Sequence, residues 1–182
     1  MTNSITGGRF VQPDVVVSHF HLKEGDIVAD YGAGSGFFLR ALSTAVGESG
    51  KVYAVEIQKN LVEKLGELAQ LQGLQHVLPL WCDLETAGGI KVADNELDAV
   101  VLVNTLFLIE DKETAITEML RTLRPGGQFI IVDWTESFAG LGPQPGHVFP
   151  LADTVALLES QGCTLEREFP AGDHHYGVAF KK

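Results

Sequence analysis

Apolar and polar positions change their period several times along this chain, and the changes mark its elements. Compact apolar runs recur at Ile27–Tyr31, Lys51–Ile57, His76–Trp81, Leu97–Val103 and Gln128–Trp134. Runs of this length bounded by turn residues read as strands, and Leu97–Val103, which barely alternates, reads as a strand buried on both faces. Between the runs the apolar spacing becomes helical. Lys59–Leu71 carries Leu61, Val62, Leu65, Leu68, Ala69 and Leu71, and Asp111–Leu123 carries Ala115, Ile116, Met119, Leu120 and Leu123. Helices are also predicted over Phe37–Val46 and Ala152–Ser160, stopped by Gly47 and Gly162. A shorter one is expected over Val15–Phe20, with Pro13 in its first turn. Thr86–Asn95 reads as a glycine-containing loop or a short helix, and Pro125-Gly126-Gly127 as a turn into the fifth strand.

Strands that alternate with helices imply a parallel sheet with right-handed crossovers. The end of the chain breaks that rhythm. Cys163–Phe169 and His175–Lys181 read as strands, but the turn between them is too short for a crossover helix, so they form a hairpin and the last strand runs antiparallel. The expected fold is α/β and doubly wound, with a seven-stranded, mostly parallel sheet closed by that antiparallel hairpin strand. Residues 25–182 are expected to form one domain, preceded at 1–24 by an arm and the short helix. Thr135–Pro150, rich in Gly and Pro, is a long loop of the kind that often carries function.

Composition narrows the partners. A length of 182 residues with 45% hydrophobic content supports a full core. The net charge of −11, with no Lys/Arg cluster, disfavours nucleic acid, which binds largely through basic side chains. No apolar run approaches the length of a membrane span, and the first ten residues lack a signal-peptide pattern, so a cytoplasmic setting without membrane insertion is expected. Cys82 and Cys163 read as reduced core residues. Asp173-His174-His175 gathers potential metal ligands, but no further ligand is near in sequence, and no metal is expected.

The first strand delivers the candidate chemistry. Asp30 ends it, and Gly32, Gly34 and Gly36 follow at alternate positions before the first long helix. Such a turn lets a ligand approach bare backbone. The dinucleotide fingerprint would need a glycine where Phe37 stands, and a P-loop would need a Gly-Lys-Ser/Thr ending that is missing. The spacing Asp30-x-Gly32-x-Gly34-x-Gly36 resembles motif I of the class I methyltransferases that depend on S-adenosylmethionine (SAM). Gly50–Glu56 is similar to that family's second-strand motif, and Leu123–Gly127 to its turn before the fifth strand. Asn104–Ile109, Gly146–Pro150 and the ending His174–Lys182 are similar to small bacterial members of the ubiquinone/menaquinone-biosynthesis type.

The resemblance implies SAM as cofactor and a small-molecule acceptor, with sites at the carboxyl ends of successive strands. It also implies that the arm and helix at 1–24 form a lid over the cofactor pocket, with Phe10, Val11 and Phe20 as apolar cover. Gly32, Ala33, Gly34 and Gly36 would present backbone to the methionine carboxylate, and Asp30 would face its ammonium or sulfonium side. Glu56, with Ile57 beside it, would accept from the ribose hydroxyls. Asp83 would accept from the adenine amino group next to Leu84, and Asn104 would lie near the methyl. Asp30 and Asp83 have an alternative as caps of local turns, and Glu56 as a solvated acid. For a general base, which methyl transfer needs only when the acceptor must lose a proton, the candidates are His147, His174 and Tyr176. Two other functions remain open: an isoaspartyl-like protein carboxyl methyltransferase, which Gly34–Phe38 resembles, and a SAM-binding module without catalysis. Oligomeric state is not legible.

Overall fold

The structure, a computed structural model, describes residues 11–138, 140 and 142–182. The expected cover by Phe10 lies outside them.

The described elements alternate as predicted. Strands β1 (Ile27–Tyr31), β2 (Lys51–Glu56), β3 (Val77–Trp81), β4 (Leu97–Val103) and β5 (Leu123–Trp134) are separated by α2 (Leu39–Val46), α3 (Lys59–Leu71) and α4 (Lys112–Thr122), with a loop between β3 and β4. Helix α1 (Pro13–Val17) precedes β1, and α5 (Leu151–Ser160) leads into β6 (Thr164–Pro170) and β7 (His175–Lys181). They form one seven-stranded sheet in the order β3-β2-β1-β4-β5-β7-β6. β1 to β5 pair in parallel, and β7 is inserted between β5 and β6, antiparallel to both. The short Ala171–His174 connection dictates this arrangement, because it can only fold β7 back beside β6.

Period-two alternation splits the core into two layers. Val28, Val52, Ala54, Val101 and Val132 face α1, α2 and α3, where Leu39, Leu42 and Leu65 meet them. Ala29, Val55, Leu102, Ile131 and Phe180 face the other way, against Ile116 and Met119 of α4 and Leu158 of α5. Strand order reverses between β1 and β4, so their carboxyl ends splay and leave a crevice.

Two elements differ from expectation. The stretch Pro125-Gly126-Gly127 lies within β5 rather than before it. Leu97 pairs with Leu123 and Ala99 with Gln128, so Arg124–Gly127 is extra chain looped out of a strand that starts earlier than its apolar run. Helix α1 spans Pro13–Val17, not Val15–Phe20; Phe20 leaves the helix to bury its ring edge-on to Phe169, 5.7 Å between centroids.

Candidate cofactor site

At the crevice beyond β1 and β4 lies a cavity of about 420 Å³, within the ordinary range for small-ligand sites. Asp30, Gly32, Ala33, Gly34, Glu56, Ile57, Asp83, Leu84 and Asn104 all line it. Gly36 does not, although it was expected at the ligand. Its φ is +82°, and an added Cβ would stand 2.8 Å from Leu68 and 2.9 Å from Leu65, so Gly36 lets the turn press onto α3. Gly32 serves a different contact, since a Cβ there would meet the Thr105 side chain at 2.5 Å. Gly34 alone of the three faces open space, where a Cβ would meet only the Gly32 carbonyl at 3.8 Å.

The glycine turn is fixed from β2. The N–H groups of Gly32 and Ala33 both donate to the Val55 carbonyl, at 2.9 and 3.0 Å. Glu56, 7% exposed, accepts from Gly34 N–H at 3.1 Å through Oε2 and from Gln58 N–H at 2.9 Å through Oε1. Its carboxylate therefore ties the turn after β1 to the start of α3 and still keeps lone pairs for a ligand. Trp81 donates its indole N–H to the Ile57 carbonyl at 2.6 Å, which holds Ile57 at the rim, 53% exposed.

Asp30 is 3% exposed beside Glu56; burial, and then that neighbouring charge, raises its pKa to about 7. Asp83 accepts from Glu85 N–H at 3.0 Å and from the Thr86 hydroxyl at 2.8 Å. It thus performs the turn-holding role that was its alternative reading while also lining the cavity. Asn104 adopts φ +54°, and its Oδ1 is buried without a hydrogen-bond partner. Unmet buried acceptors are uncommon and point to a missing donor.

Asp30, Glu56, Asp83 and also Glu85 make the lining acidic, as suits a cationic ligand. Sequence reasoning missed Glu85, whose Oε2 accepts from Glu110 and Asp111 N–H at 2.9 and 2.6 Å and thereby joins the loop after β3 to the start of α4. It also missed the apolar rim of Phe37 and Leu108, 64% and 65% exposed. Exposed apolar residues close to a run of apolar ones carry no signal of their own, and Glu85 looks like any loop acid.

The three general-base candidates lie outside the lining. His147 is exposed on the short 3-10 turn Pro145–His147. His174 pairs through Nδ1 with Glu136 at 2.9 Å and stacks on Phe138 with centroids 3.7 Å apart. Tyr176 is buried; its hydroxyl lies 2.8 Å from that of Thr154 and donates to the Phe149 carbonyl at 3.1 Å, so it anchors the start of α5, and burial raises its pKa. Val11 and Phe20, expected in the lid, belong to the core layer under α1 and α2. Among the described residues no cluster suits a metal ion, and no helix is long and apolar enough to cross a membrane.

Comparison with known proteins agrees with this geometry. The family model described as a methyltransferase domain matches residues 29–131. The ubiquinone/menaquinone biosynthesis C-methyltransferase UbiE of Neisseria meningitidis serogroup C is 29% identical over 139 residues, 76% of this chain and 55% of that protein. The chain thus spans about half the length of that relative. A SAM dependent methyltransferase from Aquifex aeolicus is 31% identical, with a TM-score of 0.86 over 94% of this chain and 89% of the other. The [4+2]-cyclase SpnF, 20% identical with a TM-score of 0.73 over 87% of this chain and 58% of its own, shares the fold alone.

Proposed function

The chain belongs to the methyltransferase-domain family, and from that premise we propose that it binds SAM in the cavity beyond β1 and β4 and moves the methyl group to a small-molecule acceptor. The observation that carries the reading is the coupling of Glu56 to the Gly34 backbone in an acidic cavity with an unmet acceptor on Asn104. These features fit the cofactor. Gly34 leaves room for close approach to backbone, Glu56 offers acceptors to ribose hydroxyls, and Asp30 is a buried acid that gains by facing a cation. Asn104 Oδ1 gives an acceptor to groups polarised by positive charge, and Ile57 and Leu84 give apolar cover to a purine.

The chemistry that SAM supplies when bound is an electrophilic methyl on a sulfonium, with a neutral thioether as leaving group. The protein's share is to bind, orient and exclude water, the terms that bring reacting atoms into line. Asp30 holds its carboxylate where burial makes ionisation costly, so a cation bound beside it favours the charged form. The rim of Phe37 and Leu108 favours an apolar acceptor. A carbon acceptor accords with the C-methyltransferase name of the UbiE relatives. The free, buried thiols of Cys82 and Cys163 support a reducing, cytoplasmic setting, and the net charge of −11 argues against a nucleic-acid partner.

Calorimetry with SAM and with NAD, followed by a labelled-methyl screen over small carbon, oxygen, nitrogen and sulfur acceptors and peptides, tests the reading. SAM is expected to bind and NAD not; preference for NAD would overturn it. Methylation of peptides alone would replace the small acceptor by a protein, and SAM binding with no acceptor would leave a binding module.

A further inference from the structure

Asp133 is the penultimate residue of β5 and only 1% exposed. Alternation places it with Phe129 and Ile131 on the face toward α4 and α5, an apolar layer where an acid is costly unless its oxygens are met. They are met by backbone. Oδ1 accepts from Trp134 N–H at 2.8 Å and Oδ2 from Phe107 N–H at 3.2 Å, and the Leu106 amide adds to the same carboxylate. Lys112 of α4, whose charge favours the ionised carboxyl from a distance, gives its ammonium to the Ile109 carbonyl and lies over the Phe149 ring instead of pairing with Asp133. What Asp133 supplies that an apolar residue of its size would not is a pair of acceptors. They join the end of β5 to the amides of Leu106 and Phe107.

Those amides belong to the short 3-10 turn Leu106–Leu108, which β4 enters through Asn104 at φ +54°. A non-glycine residue in that region persists only where its surroundings hold it. The turn is also a wall of the cavity. Thr105 at its start packs against Gly32, and Ile109 and the rim residue Leu108 line the cavity. A shift of the turn would press Thr105 into the glycine turn or withdraw it.

We propose that Asp133 is a positioning residue for the methyltransferase site: by holding the Leu106–Leu108 turn to β5 it sets one wall of the cavity, so cofactor affinity depends on a side chain that does not line it. The proposal rests on the functional reading above. Its test compares wild type, Asp133→Ala, Asp133→Asn and the core control Ile131→Val by SAM calorimetry, by urea unfolding and by hydrogen exchange at Leu106 and Phe107. The Ala variant is expected to raise the Kd by about tenfold or more, the equivalent of one lost charge-assisted hydrogen bond, and to speed exchange at those two amides ahead of Val101 in β4. Asn, which keeps one acceptor oxygen, should fall between. Ile131→Val should lower the unfolding midpoint and leave the Kd unchanged. Wild-type affinity in a folded Ala variant overturns the proposal, as does a Kd that follows stability alike in all variants. Should Ala not fold, the Asn variant carries the same comparison. If wild type binds no SAM, the functional reading falls. Exchange then decides on Asp133 alone, with unchanged protection at Phe107 overturning its role.

Discussion

At the scale of single residues, the three alternating glycines turn out to have three different reasons. Gly32 admits Thr105, Gly36 admits Leu65 and Leu68, and only Gly34 has open space where a side chain would stand. The sequence shows that backbone must come close to something at this turn, but not to what, because the absence of a side chain looks the same whether a ligand or a leucine fills the space. Gly34 sits at φ +55°, so Gly34→Val carries backbone strain but meets no neighbouring side chain; it is expected to fold with reduced stability and to lose SAM binding, whereas Gly36→Val, which also meets Leu65 and Leu68, should destabilise the protein more. Parallel melting curves and SAM titrations of the two variants check this, and intact SAM binding by folded Gly34→Val would count against the site. Glu56→Ala is expected to weaken SAM binding by about 1.5–3 kcal/mol, the range for hydrogen bonds to a charged group. Calorimetry that shows no change would remove Glu56 as the ribose ligand. The strand-end acids Asp30, Glu56 and Asp83 were legible because each interrupts or ends an apolar run. Asp133 interrupts one as well, in Phe129–Trp134, yet its partners Leu106 and Phe107 are backbone amides of another loop and leave no trace in sequence.

At the scale of elements, periodicity identified all seven strands and the order in which they alternate with helices. It placed β5 short because a bulge of Arg124–Gly127 reads as a turn, and pairing with Leu97 is not a local property. The same limit applies to His147, His174 and Tyr176. The topology brings the loop after β5 and the hairpin turn to the carboxyl edge, but Glu136, Thr154 and Phe149 take up the polar groups of His174 and Tyr176 there. Helix α1 is tied to the sheet by Arg167 of β6, whose Nη2 donates to the His19 and Phe20 carbonyls at 3.1 and 3.2 Å and to Gln128 Oε1 at 2.9 Å. Arg167→Ala leaves those acceptors unmet and is expected to cost roughly 1–3 kcal/mol in urea unfolding. Because Val11 and Phe20 pack in the core rather than in the cavity lining, SAM affinity of this variant should stay near wild type. A large loss of affinity would instead show that α1 helps to close the site.

At the scale of the whole molecule, buried titratable groups predict how stability and binding change with pH. Asp30 is raised to about 7 and Asp133 to about 6, both chiefly by burial, while burial lowers His175 to about 4. An unfolded chain releases its Asp protons near pH 4, so from there up to about 7 the native state holds protons that the unfolded state lacks, and stability falls as pH rises. His175 has the opposite sign. Below about 6.5 the unfolded histidine takes a proton that the native one refuses, so its contribution is lost as pH falls toward 4. The two effects oppose each other in acid. Around pH 7 and just above it, native Asp133 and the unfolded histidine have lost most of their protons and Asp30 is the chief group of these three still titrating, so the protein without ligand should lose stability there, by at most about 1.4 kcal/mol per pH unit. A cation bound beside Asp30 favours its ionised form, so SAM affinity should rise over the same interval in which the free protein weakens. Asp30→Asn should remove both trends together. Urea unfolding at pH 6, 7 and 8, with SAM calorimetry at each, measures the pair. Stability that is flat in the wild type, or that falls equally in Asp30→Asn, would mean that Asp30 is not the titrating group. A flat SAM affinity beside a falling stability would place the bound positive charge away from Asp30.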